Sequence, residues 1–291
     1  MLRVFSRLLR QLGSLRHLKP AAQGGHAITD SASSPWILEP EAEGSYAGIS
    51  GSDQGLFIFN VFDQGVGWQL RTYGAYDAPQ MALLMRLAGD AQVVLDVGAN
   101  IGITTVILGR AVGASGRVHA FEPQRSIFHM LAGNIALNGL DNIECHCMAV
   151  GAAPGEATLP RLDYRSHASF GSVELNRAHQ SDARQQAIGG QFDRVPMTSI
   201  DALDIPRLDL IKIDVEGMEE DVLIGARETL ARHQPLMYVE HLKSDKQSLA
   251  RRLVDAGYLL FDAYENFVCI PESRADIETL VAGLEPFPMT K

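Results

Sequence analysis

The stretch Val93–Gly102, VVLDVGANIG, constrains the fold more than any other part of the chain. β-Branched and aliphatic residues lead into an acid and then into a glycine-punctuated turn, after which Ile101–Val112 is apolar with helical recurrence. That order predicts a buried parallel strand, a tight turn and a helix N-terminus. Gly98 and Gly102 let the backbone turn sharply and let a ligand approach it. The first helical turn points free N–H donors into the same space. Asp96 ends the strand, where open α/β sheets bind their ligands. The spacing is D-x-G-x-N-x-G rather than the dinucleotide fingerprint G-x-G-x-x-G. An acid two residues before the first glycine repels a pyrophosphate and suits an amino group or a ribose.

Strand and helix patterns alternate on both sides of this motif. Before it, Leu56–Phe62 reads as a strand, with Trp68–Tyr73 pairing to it across a hairpin. Asp77–Ala88 reads as a helix with Asp77 as N-cap and Pro79 in the first turn. After the motif, strands are expected at Arg117–Phe121, Ile143–Ala149, Gln191–Met197, Leu208–Asp214 and Leu236–Glu240. Helices are expected at Gln124–Leu137, Glu219–Arg232 and Ser244–Ala256, and Tyr258–Ala263 with Phe267–Pro271 closes the chain as an antiparallel pair. The alternation predicts an α/β class, a doubly wound and mainly parallel sheet. Asp163–Gly190 is polar and without period, and a stretch that long without structure is usually functional or mobile. It carries Tyr164, Arg165, His167, Ser169 and Arg177, hydrogen-bonding groups expected to lie over the ligand crevice.

The N-terminal part differs in character. Residues 1–52 form a basic amphipathic segment and a flexible lead-in; residues 53–291 form the main domain, with 53–90 covering one edge or mouth of the sheet. Met1–Pro20 contains Arg3, Arg7, Arg10, Arg16 and Lys19, no acid, and apolar residues at helical spacing. Three readings fit it: a helix on an anionic membrane surface or a partner, an organelle transit peptide, or a helix capping the domain. No apolar run reaches the length that crosses a bilayer, so the expected location is cytoplasmic, with peripheral membrane contact or targeting through residues 1–20 left open. The net charge of −10 argues against a general nucleic-acid-binding surface. The three cysteines, Cys145, Cys147 and Cys269, contain no C-x-x-C pair and read as reduced, half-buried thiols.

Charged residues gather at the predicted strand ends. Glu122 is the first acid after the second central strand, about 25 residues past Asp96, a spacing at which a carboxylate accepts both hydroxyls of a ribose. Ile211–Glu219, IKIDVEGME, places Lys212, Asp214, Glu216 and Glu219 on and after a buried strand. Buried charge is expensive unless paired, which marks a candidate site. Glu240-His241 closes the next strand at the same rim, and histidine is the commonest general base near neutral pH.

DVGANIG resembles motif I of class I S-adenosylmethionine-dependent methyltransferases. Together with FEP at Phe121–Pro123 and the block TSIDALDIPRLDLIKIDVEGMEEDVLIGARETLARHQPLMYVE from Thr198 to Glu240, the chain resembles the FkbM family of these enzymes. The resemblance runs from roughly Tyr73 to Glu240. It implies a Rossmann-like core with a seven-stranded sheet and O-methylation of a hydroxyl on a small molecule, sugar or glycan, with S-adenosylmethionine as cofactor. By that resemblance Asp96, Gly98, Asn100 and Gly102 hold the methionine end and Glu122 holds the ribose. Ala99 and Pro123 belong to the same set, and Asn142 and Ala149 lie where such enzymes contact adenine. An alcohol acceptor must lose a proton, and Asp214, His241 and then Glu216 are the candidate bases. Asp214, Glu216 and Glu240 offer oxygen ligands for a divalent metal, although no spacing demands one. An NAD-dependent oxidoreductase is disfavoured by the missing fingerprint and a nucleic-acid 2′-O-methyltransferase by the acidic charge balance. A non-catalytic binding module on the same fold is the remaining alternative.

Overall fold

In the computed structural model, which describes residues 36–40, 44–171 and 187–288, the alternation builds one large sheet. Three strands open the described chain: β1 (Trp36–Leu38), β2 (Ala47–Ser52) and β3 (Gly55–Asn60). Helices α1 (Val66–Tyr73) and α2 (Ala78–Leu87) follow. The central run is β4 (Val93–Val97), α3 (Ile103–Ala111), β5 (Arg117–Phe121), α4 (Arg125–Leu137) and β6 (Ile143–His146). A side sheet contains β7 (Ala149–Val150), β8 (Gly155–Leu162) and β9 (Ala187–Thr198). The chain then returns through β10 (Leu210–Ile213), α5 (Glu219–Ile224), α6 (Arg227–His233), β11 (Leu236–Glu240) and α7 (Lys246–Asp255). It closes with β12 (Tyr258–Ala263), β13 (Asn266–Pro271), α8 (Ile277–Leu280) and β14 (Glu285–Pro286). Residues from Ser33 onward form one unit; Met1–Ala32 is a separate unit outside the described residues, and the basic amphipathic segment falls within it.

The large sheet runs β14-β12-β13-β11-β10-β4-β5-β6. From β11 to β6 every pairing is parallel, and β13, β12 and β14 are antiparallel to their neighbours. The described sheet therefore has eight strands rather than seven; the extra one is the two-residue β14 on the edge of β12. Alternation along β4 sends Val94 to one core and Leu95 and Val97 to the other, as a sheet covered on both faces requires. The chain moves outward from β4 through β5 to β6, then restarts beside β4 with β10 and moves the other way. The order thus reverses between β4 and β10, which puts the ligand crevice at their carboxyl ends.

Three expectations are corrected. Trp68–Tyr73 is not a hairpin strand but part of helix α1. The Asp63 carboxylate accepts from the N–H groups of Gly65 and Gly67, starting the helix, and Gly74 ends it in the left-handed region at φ 66°. The aromatic residues that suggested a strand are its exposed face, where Trp68 and Tyr73 pack edge to face. The lead-in before residue 53 contains β1 and β2, where Gly48 and Gly51 leave room for rings over the strand. A Cβ at Gly51 would collide with the Trp36 indole, and one at Gly48 would press on Phe59. The helix expected at Glu219–Arg232 is two helices, broken where Gly225 touches the Gly151 carbonyl so closely that no side chain fits, and where the Gly225 carbonyl accepts from Asp201 N–H at 2.8 Å.

Strand β3 lies at the edge of its small sheet, and two asparagines, one in α4 and one capping its C-terminus, act as its next strand. Asn134 Oδ1 accepts from Ile58 N–H at 2.5 Å, and its Nδ2 donates to the carbonyls of Ile58 (3.0 Å) and Ile101 (2.7 Å). Asn138 repeats the pattern one turn later on Leu56, at 3.2 and 2.8 Å. The amides cap an edge that would otherwise leave backbone groups unpaired, and they fix the cover against the helix that follows Glu122. Asn134 is completely buried. Asn134→Leu should therefore cost roughly 1–3 kcal/mol, because it leaves buried donors and acceptors unmet. Urea unfolding checks this, and a change within a few tenths of a kcal/mol would refute it.

Candidate active site

The turn after β4 is built by backbone conformations that few residues tolerate. Gly98, Asn100 and Gly102 have φ of 83°, 53° and 88°. A Cβ at Gly98 would overlap the Asp214 carbonyl oxygen, so the ends of β4 and β10 meet there with no room for a side chain. The crevice above this contact is lined by Gly98, Ala99, Asn100 and Gly102 from the turn, and by Glu122, Pro123 and Ala149 beyond β5 and β6. Lys212, Asp214, Glu216 and Glu240 line it from β10, the turn after it, and β11.

Glu122 is almost fully buried, at 4% exposure. Its Oε2 accepts from Asn100 N–H at 3.0 Å and its Oε1 from Gln124 N–H at 2.8 Å. The carboxylate is thus fixed against the glycine turn with lone pairs left over for a ligand. Burial pushes its pKa up to about 7, although the two backbone N–H donors oppose this.

Lys212 occupies the junction of the two strands. Its Nζ donates to the Gly98 carbonyl at 2.7 Å and lies 3.3 Å from both Asp96 Oδ1 and Asp214 Oδ2. Burial alone would lower its pKa, but Asp214 and Asp96 overcome that and hold it above the ordinary lysine range. Asp96 itself has no exposure and receives Thr105 Oγ1–H at 2.6 Å on its other oxygen.

The IDVEGME turn is held by an acid. Glu219 has no exposure, and its Oε1 accepts the N–H groups of Val215 (3.1 Å) and Gly217 (3.2 Å) while Ser244 Oγ donates to its Oε2. Glu216 and Gly217 consequently sit at φ 57° and 97°, which brings Glu216 into the crevice, paired with Lys243 Nζ at 2.7 Å. Ligand oxygens of Asp214, Glu216 and Glu240 lie within 4.8 Å of one another. Burial, then the charge of Asp214, raises the pKa of Glu216 to about 7 and that of Glu240 further still.

Three of the sequence-derived residues do not line the crevice. Asp96 lies beneath the turn and reaches the site only through Lys212. Asn142 donates to the carbonyls of Gly109 (2.8 Å) and Gly113 (2.9 Å), so its amide finishes helix α3. His241 follows β11 with its ring against Phe267, centroids 4.6 Å apart, and Nε2 3.7 Å from Asp262; alternation turns it away from Glu240. Sequence reasoning missed the far wall: Tyr76 and Gln80 before and in α2, Tyr238 on β11 and Asn266 on β13. There Tyr238 Oη–H donates to Gln80 Oε1 at 2.8 Å, with Asn266 Nδ2 at 3.4 Å from the same oxygen. A glutamine on a helix carries no local signal of that role. Of Asp163–Gly190, the described part borders the crevice through Ser169 and Gly171, and Gln124 ties it down by donating to Phe170 O at 2.8 Å. His167 packs instead on Phe62, and Arg165 donates to Gly44 O at 2.7 Å. Residues 172–186, with Arg177, lie outside the described residues.

Residues 96–260, more than half of the chain, match the methyltransferase FkbM domain. The chain belongs to the FkbM methyltransferase family. The matched region is a methyltransferase domain of the S-adenosylmethionine-dependent kind. Methyltransferase 1 of Beauveria bassiana is 26% identical over 156 residues, covering 47% of this chain and 59% of that protein. Methyltransferase sdnD of Sordaria araneosa is 28% identical over 163 residues, covering 46% and 60%. The chain thus spans about 60% of the length of these curated relatives. The crystal structure of an FkbM methyltransferase from Methylobacillus flagellatus superposes with a TM-score of 0.43 at 18% identity, covering 62% of this chain and 43% of that one. No helix among the described residues is long and apolar enough to cross a membrane.

Within the FkbM domain, the buried cation at the strand junction generates a stability prediction. Lys212→Met keeps the volume but leaves Asp96 and Asp214 without their counter-ion, and should cost roughly 3–5 kcal/mol. The double change Lys212→Met with Asp96→Asn should recover part of that loss. Denaturant unfolding of both variants checks it, and equal stability of Lys212→Met and the parent would contradict it.

Proposed function

We propose that the crevice holds S-adenosylmethionine against Glu122 and the glycine turn, and that the protein methylates a hydroxyl of a neutral small molecule, sugar or glycan. The observation that carries this reading is the division of the crevice. One side has a buried carboxylate fixed by two backbone N–H groups beside a glycine cradle. The other has carboxylates and neutral hydrogen-bonding groups. The first side fits the cofactor: Glu122 has the lone pairs to accept two ribose hydroxyls, and Gly98–Gly102 leaves the backbone open to the methionine end. The bound cofactor supplies an electrophilic methyl group.

The chain's own residues do the rest. Asp214, on the crevice side of Lys212, receives the acceptor's hydroxyl hydrogen bond and takes its proton. Glu216 is the second candidate, since burial holds it near neutrality. Tyr76, Gln80, Tyr238 and Asn266 present hydroxyl and amide groups that orient a polyhydroxylated acceptor, and orientation is the main demand of an in-line transfer. Asp214, with the ionised fractions of Glu122 and Glu216, gives the crevice an acidic character that favours a sulfonium cation and disfavours phosphate-bearing acceptors. That is a local argument against nucleic acid, independent of the net charge.

Asp214→Asn should retain cofactor affinity while losing on the order of 10²–10⁴ in kcat; calorimetry with S-adenosylhomocysteine and single-turnover assays separate the two, and unchanged kcat would remove Asp214 as base. Incubation with radiolabelled S-adenosylmethionine and fractionated metabolites, glycans and RNA identifies the acceptor, and label appearing in RNA alone would overturn the reading.

Cofactor affinity should also depend on pH. Burial raises the pKa of folded Glu122 to about 7 from 4.5. The folded state therefore keeps a proton that the unfolded chain loses, and this group's contribution to stability falls as pH rises from about 4.5 to about 7. The ionised form is the better acceptor of two hydroxyls, so affinity should rise through about pH 7 and then level off. Glu122→Gln should bind more weakly and without that rise; a variant with the parent's pH profile would contradict the assignment.

A further inference from the structure

A second group of metal-ligating side chains lies outside the crevice, on strands β5 and β6. These strands are parallel neighbours, with His119 opposite Glu144 and Phe121 opposite His146. Residues two apart share a face, so His119, Phe121, Glu144 and His146 form one patch on the face of Phe121, while Cys145 packs against the opposite core. Strand β6 ends the sheet, so the patch lies at its edge.

Within the patch, one nitrogen each of His119 and His146 and one oxygen of Glu144 lie within 4.8 Å of one another. His119 Nδ1 is 3.6 Å from Glu144 Oε2, too long for a hydrogen bond. The His146 ring stacks on Phe121 at 4.6 Å and lies 5.9 Å from the His119 ring, both nearly parallel. Its Nε2 is buried and has no hydrogen-bond partner. A buried imidazole nitrogen is normally satisfied, so this one points to a ligand.

We propose that His119, Glu144 and His146 bind a divalent transition metal of the zinc type. Two imidazoles and a carboxylate form a donor set that zinc accepts, with the fourth position left for water. Metal–ligand bonds of about 2.0–2.2 Å place tetrahedral donors roughly 3.3 Å apart. Side-chain rotation closes the remaining distance, since Glu144 is 58% exposed and free to swing. The ion pins β5 to β6 at His119, three residues before Glu122, whose N–H donates to the His146 carbonyl at 3.1 Å. The site lies beside the crevice and is separate from the Asp214, Glu216 and Glu240 carboxylates, whose all-oxygen set suits harder cations.

The test is zinc titration of the whole protein against a chromophoric chelator, with Co²⁺ substitution to read ligand geometry. One zinc should bind with micromolar or tighter affinity and raise the melting temperature. His119→Ala, His146→Ala and the surface change Glu144→Gln should each weaken binding at least roughly 10- to 100-fold. Glu216→Gln with Glu240→Gln should leave it unchanged. The proposal is overturned if the parent binds no zinc at micromolar concentration, if Glu144→Gln and a folded His119→Ala/His146→Ala variant keep the parent's affinity, or if the Glu216→Gln/Glu240→Gln change abolishes it. None of these readouts depends on methyl transfer, so they stand or fall apart from the proposed function.

Discussion

Lys212 is a cation with 6% exposure, set between two carboxylates and a carbonyl oxygen. Removing such a charge from water costs several kcal/mol, which only close partners offset. Its partners come from the two strands that flank the reversal of the sheet. Asp96 and the Gly98 carbonyl belong to β4 and its turn, and Asp214 follows β10. The ammonium can be satisfied only when both strands are in register and the glycine turn is closed. Gly98 adds a steric condition, because a Cβ there would overlap the Asp214 carbonyl oxygen. Charge and shape therefore impose one geometry on the place where the crevice opens.

The rest of the site is arranged around that junction by residues that never face the ligand. Glu219 clamps the turn that presents Glu216, and Thr105 donates to the Asp96 oxygen that faces away from Lys212. Asn134 and Asn138 attach the N-terminal cover to α4, the helix that follows Glu122. Acids that look alike in the sequence thus divide into two kinds. Asp96 and Glu219 are buried and support backbone or lysine, whereas Glu122, Asp214, Glu216 and Glu240 reach the crevice.

The central strands, their order of alternation and the glycine turn were legible because each depends on local pattern: β-branched runs, helical recurrence and glycine spacing. Glu122 was legible for the same reason, since its distance from the turn is set by one helix and one strand. The misreadings share a cause in tertiary contact. Trp68–Tyr73 carries strand-like residues, yet Asp63 and Gly74 fix it as a helix. His241 follows β11 at the crevice rim and Asn142 precedes β6 at the opposite rim, and their side chains are taken by Phe267 and by the Gly109 and Gly113 carbonyls. Gln80 and Asn266 lie far apart in the chain and meet only through the fold, so no window of sequence could pair them.

The most direct test of the account is a crystal structure of the protein with S-adenosylhomocysteine, the cofactor's product. The expected result has the ribose hydroxyls on the Glu122 carboxylate, the amino-acid end over Gly98–Gly102, and the thioether facing Asp214, with Lys212 still bonded to the Gly98 carbonyl. A cofactor bound away from Glu122, or one whose binding separates Lys212 from Gly98 and Asp96, would contradict it.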